Sequence, residues 1–174
     1  MILIAACCVL VPGEARAGER MILRYDVPGG DIVVTEGGSA PTVQDLKLTR
    51  SGDTFIFANP PGGFTVRDGP GEFCDAGSRR AFCPVEGILT IAIRLGGGGD
   101  DALAKVTPSG RVRIAISGEA GSDRIKATVG RQVINGGPGD DVLRGGPGRD
   151  VLVGGPGTDS CRGGPARDVQ RGCE

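Results

Sequence analysis

A nine-residue period at the end of the chain constrains the fold more than any other feature of the sequence. Cut at nine residues, the chain reads GGPGDDVLR (136–144), GGPGRDVLV (145–153), GGPGTDSCR (154–162) and GGPARDVQR (163–171). Aspartate occupies the sixth position of every copy, and the eighth position is apolar until the last copy. Abundant glycine and proline without a period would indicate disorder, whereas a strict period predicts stacked repeating coils.

Weaker copies precede the four good ones. GEAGSDRIK (118–126) fits with Asp123 at the sixth position and Ile125 at the eighth, and GGGGDDALA (96–104) fits with Asp101 and Leu103. Gln132 stands where the intervening copy should have its aspartate, and residues 105–117 contain extra residues without the glycine turn. We interpret these segments as imperfect coils of one series.

The template G-G-x-G-x-D-x-U-x, with U apolar, resembles the repeats-in-toxin, or haemolysin-type, calcium-binding family. The resemblance covers roughly residues 96–171 and implies a parallel β-roll, in which six residues form a turn and three form a short strand. We therefore expect an all-β chain, with a small β-rich capping region at 18–95 and a calcium-binding β-solenoid at 96–174.

The residue types suit calcium, which prefers six to eight hard oxygen ligands at about 2.3–2.6 Å. Glycines permit positive φ and bring backbone carbonyls close together, and each repeat adds one carboxylate. The predicted metal-binding residues are Asp101, Asp123, Asp141, Asp150, Asp159, Asp168, Gly137, Gly139, Gly146, Gly148, Gly155 and Gly157. One apolar residue in nine gives a thin core, so we expect bound calcium to complete the stability of the fold.

Two nine-residue repeats complete one coil of such a roll, so its turns alternate between opposite edges. Asp123, Asp141 and Asp159 then share one edge, which Asp101 extends, while Asp150 and Asp168 share the other with Gln132 beneath them. We expect more calcium ions on the first of these edges. From Gly96 onward the chain has eleven basic residues against ten acidic ones, so we expect modest affinity, at about 10⁻⁴–10⁻³ M as in extracellular calcium modules.

Short runs with β-type alternation separated by turns occupy the region before the repeats. Strands are predicted at 31–35 and 64–67, and a hairpin is predicted from 46–50 and 54–57 across Ser51-Gly52-Asp53. Residues 88–95 form the strongest strand pattern and are expected to lead into the first coil.

The start of the chain indicates export. Residues 2–11 form a short apolar stretch and Ala15-Arg16-Ala17 is a cleavage pattern, which predicts a signal peptide at 1–17. An alternative is lipid attachment at Cys7. Four cysteines remain after cleavage, and neighbour pairing predicts the disulfides Cys74–Cys83 and Cys161–Cys173 in an oxidising compartment. Zinc binding by these four is the alternative, although their spacing does not fit a zinc knuckle.

Composition excludes several functions. Histidine is absent, which removes histidine-based acid–base catalysis and histidine-ligated metals. The net charge of −1 gives no case for nucleic acid, and no segment is long enough for membrane insertion. We expect a secreted, monomeric, non-enzymatic protein whose ligand is calcium. The alternatives are a cell-surface adhesin or envelope component that contacts polysaccharide or protein, and an accessory module of a secreted β-solenoid hydrolase.

Overall fold

The computed structural model describes residues 21–26, 31–36, 45–58, 64–68, 75–76, 80–84, 90–105 and 112–174. The predicted signal segment, Cys7 and Cys74 lie outside these residues. The described part contains no helix, and therefore none long and apolar enough to cross a membrane. Its strands are β1 (Met21–Asp26), β2 (Asp31–Glu36), β3 (Asp45–Ser51), β4 (Thr54–Ala58), β5 (Phe64–Asp68), β6 (Asp75–Ala76), β7 (Arg80–Pro84), β8 (Thr90–Arg94), β9 (Asp101–Lys105), β10 (Arg113–Ser117), β11 (Arg124–Ala127), β12 (Gln132–Asn135), β13 (Val142–Arg144), β14 (Val151–Val153), β15 (Ser160–Arg162) and β16 (Val169–Arg171).

The repeat region is a β-solenoid of about four coils, as the nine-residue period predicts. The even-numbered strands β8 to β16 stack in parallel in one sheet, and the odd-numbered strands β9 to β15 stack in the other. Val142 pairs with Ser160, and Val133 pairs with Val151, so corresponding residues of stacked strands are 18 apart. Two repeats therefore make one coil, and turns alternate between two edges. The first edge consists of the turns 95–100, 118–123, 136–141 and 154–159, and the second edge of the turns 127–132, 145–150 and 163–168.

The eighth position of each repeat faces the interior, because alternate strand residues point to opposite sides of the sheet. Ile125, Ile134, Leu143 and Leu152 are fully buried. Cys161 is half-buried and Gln170 is exposed, so the core thins towards the end of the chain. The interior is narrow because each coil adds only two such side chains.

The first coil has a different register from the one that the sequence predicts. Ala102, not Leu103, pairs with Ile125 and is buried, and Asp101 lies exposed at the start of β9. The repeat therefore runs over 95–103, which puts positive φ at Gly96 and Gly98, the second and fourth positions. Leu46 pairs with Ala102 across β3 and β9 and is also buried. The small side chain of Ala102 thus leaves room in the core for the bulky side chain of Leu46.

The N-terminal strands continue both sheets of the roll. Strand β2 pairs in parallel with β8, and β3 pairs in parallel with β9. The predicted hairpin is confirmed, since β3 and β4 are antiparallel and Gly52 takes a φ of 57° in the turn. Phe55 and Phe57 of β4 are fully buried and give this end of the molecule its bulkiest core. Both sheets continue from the N-terminal strands into the roll, although the sequence pattern changes at residue 96.

The C-terminal end of the roll is closed by a disulfide between Cys161 and Cys173, with a Cα–Cα distance of 5.6 Å. This pair confirms one of the two predicted disulfides. Glu174 donates its N–H to the carbonyl of Asp159 at 2.8 Å, in the way that Ser160 donates to Asp141 one coil earlier. The last residues therefore take the place of a further turn. Cys83 is also disulfide-bonded.

Candidate metal centre

Glycines at the second and fourth positions of the turns have positive φ, and the close stacking of the turns explains why glycine is needed there. Gly137 and Gly139 have φ of 114° and 141°, and Gly155 and Gly157 repeat these values closely at 126° and 143°. A Cβ at Gly155 would overlap the carbonyl oxygen of Gly137 in the turn below. These two stacked turns therefore approach each other too closely for a side chain at either glycine position, and backbone carbonyls line the contact.

The sixth-position aspartates form a hydrogen-bonded ladder on the first edge. The N–H of Asp123 donates to Oδ1 of Asp141 at 2.8 Å, and the N–H of Asp141 donates to Oδ1 of Asp159 at 2.9 Å. One oxygen of each carboxylate thus fixes the spacing between turns. The predicted grouping of Asp123, Asp141 and Asp159 on one edge is confirmed.

Asp100, not Asp101, extends this ladder. The N–H of Asp100 donates to Oδ1 of Asp123 at 2.8 Å, and Asp100 is 2% exposed. The sixth position of this turn is therefore Asp100, and the sequence-based assignment of Asp101 to that position was wrong by one residue. The extra residues between the first two coils put Asp100 and Asp123 23 positions apart instead of 18, so the period alone did not define the register here.

The second edge repeats the arrangement with one substitution. The N–H of Gln132 donates to Oδ1 of Asp150, and the N–H of Asp150 donates to Oδ1 of Asp168, both at 2.9 Å. Gln132 therefore lies beneath Asp150, as predicted, and its Nε2 donates to the carbonyl of Val129 at 2.6 Å. This edge offers two carboxylates and one amide oxygen.

The second carboxylate oxygen is buried and has no hydrogen-bond partner within the described residues. This holds for Oδ2 of Asp123, Asp141, Asp150 and Asp159. The amide oxygen Oε1 of Gln132 is likewise buried and unpaired. An unpaired buried carboxylate oxygen carries a large desolvation cost. A cation beside it would remove that cost, so these atoms are the strongest evidence for a metal site.

The same burial changes the acidity of the ladder. Burial raises the pKa of the Asp123, Asp141 and Asp150 carboxyls above the ordinary value; their backbone hydrogen bonds lower it, and neighbouring aspartates raise it further. The charged form is therefore disfavoured without a counter-ion.

First-position glycines also belong to the site, although they are not among the residues predicted from the sequence. A Cβ at Gly136 would overlap Oδ2 of Asp141, and a Cβ at Gly145 would overlap Oδ2 of Asp150. The first glycine of each turn thus leaves room for the carboxylate of its own turn. The recurrence of this glycine in all four good copies was the available signal.

These residues fit calcium. Within the part of the chain that the structure describes, no three acidic or cysteine side chains converge on one point. A cation held here would therefore take several oxygens from the backbone, together with one carboxylate per turn. Calcium accepts such a mixed set of oxygens, whereas zinc prefers sulfur and nitrogen ligands. Asp140, next to the ladder, is exposed and accepts the N–H of Thr158 at 2.9 Å, so it lies outside the site.

Comparison with known proteins agrees with this geometry. The family model described as RTX calcium-binding nonapeptide repeat, in four copies, matches residues 127–161 and 135–169. Residues 127–169 are thus similar to the calcium-binding repeats of this family, and the parallel stacked coils agree with a β-roll. No curated protein and no solved structure matches the chain.

Proposed function

We propose that this chain is an extracellular calcium-binding protein in which calcium orders the β-roll by binding between stacked turns. The observation that carries the proposal is the row of buried, unpaired carboxylate oxygens of Asp123, Asp141 and Asp159 along the first edge, with Oδ2 of Asp150 and Oε1 of Gln132 on the second. On the first edge the ion would be held by Asp123, Asp141 and Asp159 with carbonyls of the adjoining glycine turns. On the second edge it would be held by Asp150 and Asp168, with Oε1 of Gln132 as an additional oxygen.

Calcium supplies positive charge to carboxylates that the fold has removed from water. The hydrogen bonds from backbone N–H groups to Oδ1 hold each carboxylate in place, so Oδ2 is oriented before the ion arrives. The glycine turns cost much backbone entropy to order. Metal binding would offset that cost, so calcium acts as a folding ligand and not as a catalyst.

The two edges should differ in the number of ions. The first edge has three intervals between stacked sixth-position aspartates, because Asp100 takes part in the ladder. The second edge has two intervals, and one of them has Gln132 on one side. The first edge is therefore the better calcium edge.

An extracellular location is supported by the disulfide at the C-terminal end, since such bonds persist in oxidising compartments.

Circular dichroism of residues 18–174 with millimolar calcium, and again after chelation, tests the proposal. We expect the β signal and the melting temperature to fall on chelation and to return with calcium but not with equimolar magnesium, which retains its water and demands octahedral geometry. Identical spectra and melting temperatures with and without calcium would refute the folding role.

A further inference from the structure

Basic side chains are concentrated on the second edge of the roll in two stacked rows. Arg113, Arg131, Arg149 and Arg167 follow one another at intervals of 18 residues, immediately before the sixth-position residue of each later turn. Ile114 pairs with Gln132, and the N–H of Gln132 bonds to Asp150, so this interval keeps the arginines in register on successive coils. All four arginines are exposed. We call them the arginine ladder.

A second row lies at the other end of the same turns. Lys126 pairs with Arg144, and Arg144 pairs with Arg162, at the ends of the strands that lead into the second edge. These three side chains are also exposed. Stacked strands are about 4.8 Å apart, so both rows present a positive charge at roughly that interval along the roll.

The opposite edge has no such rows. Its turns, 95–100, 118–123, 136–141 and 154–159, contain no lysine or arginine, and they expose Glu119 and Asp140. The exposed Arg94, Arg124 and Arg171 lie beside these turns but do not pair with one another. The near balance of charge over the repeat region thus hides a strong asymmetry between the two edges.

Nothing within the described residues neutralises the two basic rows. The ion pair found there joins Arg50 to Asp53, far along the chain from these turns. Asp150 and Asp168 use Oδ1 to bind backbone N–H groups, and Asp150 is buried. Like charges at this spacing repel each other, and such rows are typical of surfaces that bind an external anion.

We propose that the second edge binds a linear acidic polysaccharide, with one carboxylate of the polymer facing each coil. Each row contains one basic side chain per coil, so the rows fit a polymer with repeating charges better than a single small anion. Arginine binds carboxylates through its planar fork of donors.

Neighbouring side chains favour a polysaccharide over other polyanions. Val133, Val151 and Val169 pair in register two residues beyond the ladder, and Val133 and Val169 are 48% and 44% exposed. This apolar strip suits the C–H faces of sugar rings. The chain has no aromatic residue after Phe82, so the roll lacks the stacking platforms of single-strand nucleic-acid sites and the bulky anchors of membrane-surface helices.

Binding of the calcium-loaded full chain to polygalacturonate, measured by calorimetry at several salt concentrations, tests this proposal. The ladder variant is Arg131→Gln/Arg149→Gln/Arg167→Gln. Its matched control, Lys47→Gln/Arg80→Gln/Arg94→Gln, removes three exposed cations elsewhere. We expect the ladder variant to bind roughly tenfold or more weakly, since exposed ion pairs each contribute a few-fold. The slope of log K against log salt should become shallower by about two to three, while the control binds within about threefold of the wild type.

A second variant, Lys126→Gln/Arg144→Gln/Arg162→Gln, should show a similar loss. Calcium-dependent melting of all variants should match the wild type, because the substituted side chains are exposed. Equal weakening in the ladder variant and the control would overturn the proposal, as would tighter binding to duplex DNA or to anionic phosphatidylserine vesicles than to polygalacturonate. A ladder variant that no longer melts cooperatively in calcium would show that the arginines stabilise the fold instead, and would also overturn it.

Discussion

Replacing Asp141 by asparagine should have opposite effects on stability with and without calcium. Asparagine keeps an oxygen to accept the N–H of Asp123, a bond of 2.8 Å in the structure. It removes the charge from the buried, unpaired Oδ2 position. Without calcium the variant should therefore melt at a temperature equal to or above that of the wild type, because burial disfavours the charged carboxyl.

With calcium the same variant should lose the contribution of two sites. Asp141 adjoins two intervals of the ladder, towards Asp123 and towards Asp159, whereas Asp168 adjoins one described interval, towards Asp150. One site contributes about 2.7 kcal/mol at a free calcium concentration of about 100 times Kd. The expected losses are therefore roughly 5 kcal/mol for Asp141→Asn and about 2.7 kcal/mol for Asp168→Asn.

Thermal melts followed by circular dichroism, in about 10 mM calcium and in chelator, measure the effect. For a chain of this size about 2–4 °C corresponds to 1 kcal/mol, so the calcium-induced rise in melting temperature should shrink by roughly 10–20 °C in Asp141→Asn and by about half of that in Asp168→Asn. Asp140→Asn is the matched control, because Asp140 is exposed and lies outside the ladder. Equal losses in Asp141→Asn and Asp168→Asn, or an unchanged calcium response in Asp141→Asn, would refute the inference that the first edge has more calcium sites than the second.

Three further predictions follow from the turns. Gly136→Ala should destabilise the calcium-loaded protein by about 1–3 kcal/mol, because its Cβ would overlap the Asp141 carboxylate; a melting temperature in calcium equal to that of the wild type would contradict this. Glu119→Gly should stabilise the protein by about 1 kcal/mol in chemical denaturation, because Glu119 has a φ of 72° at a second position where the good repeats have glycine; unchanged or lower stability would count against strain at this turn. Finally, burial raises the pKa of the three ladder carboxyls described above, so the calcium-free fold binds protons more tightly than the unfolded chain. Proton binding stabilises the calcium-free folded state fully at a pH below the unfolded pKa of about 3.9. This stabilisation is lost as the pH rises through the raised pKa of the folded state. Calcium-free protein should therefore melt higher at pH 5 than at pH 7.5, and the order should reverse in calcium; a lower calcium-free melting temperature at pH 5 would contradict the sign.

The sequence determined the repeating part of this protein, because the information there is local. One apolar residue in nine, a sixth-position aspartate and fixed glycines identify the coil, its two edges and the burial of Leu143 and Leu152. The same period predicts that Gln132 takes the place of an aspartate beneath Asp150. Four copies in register leave only one alignment of the repeats, so the turns, strands and sixth-position residues from Gly118 onward lie where the period predicts.

Only the tertiary structure decided the first coil. Asp100 and Asp101 are equivalent within the run GGGGDD, and the irregular spacer removes the 18-residue reference. Hydrogen bonding to Asp123 and packing beside Leu46 select Asp100 for the ladder and turn Ala102, not Leu103, inward. The joining of β2 to β8 and of β3 to β9 likewise depends on pairing between distant segments, which no local pattern encodes. The arginine ladder depends on both the sequence and the tertiary structure. Its 18-residue period is present in the sequence, but only the alternation of turns between two edges shows that these charges share one surface.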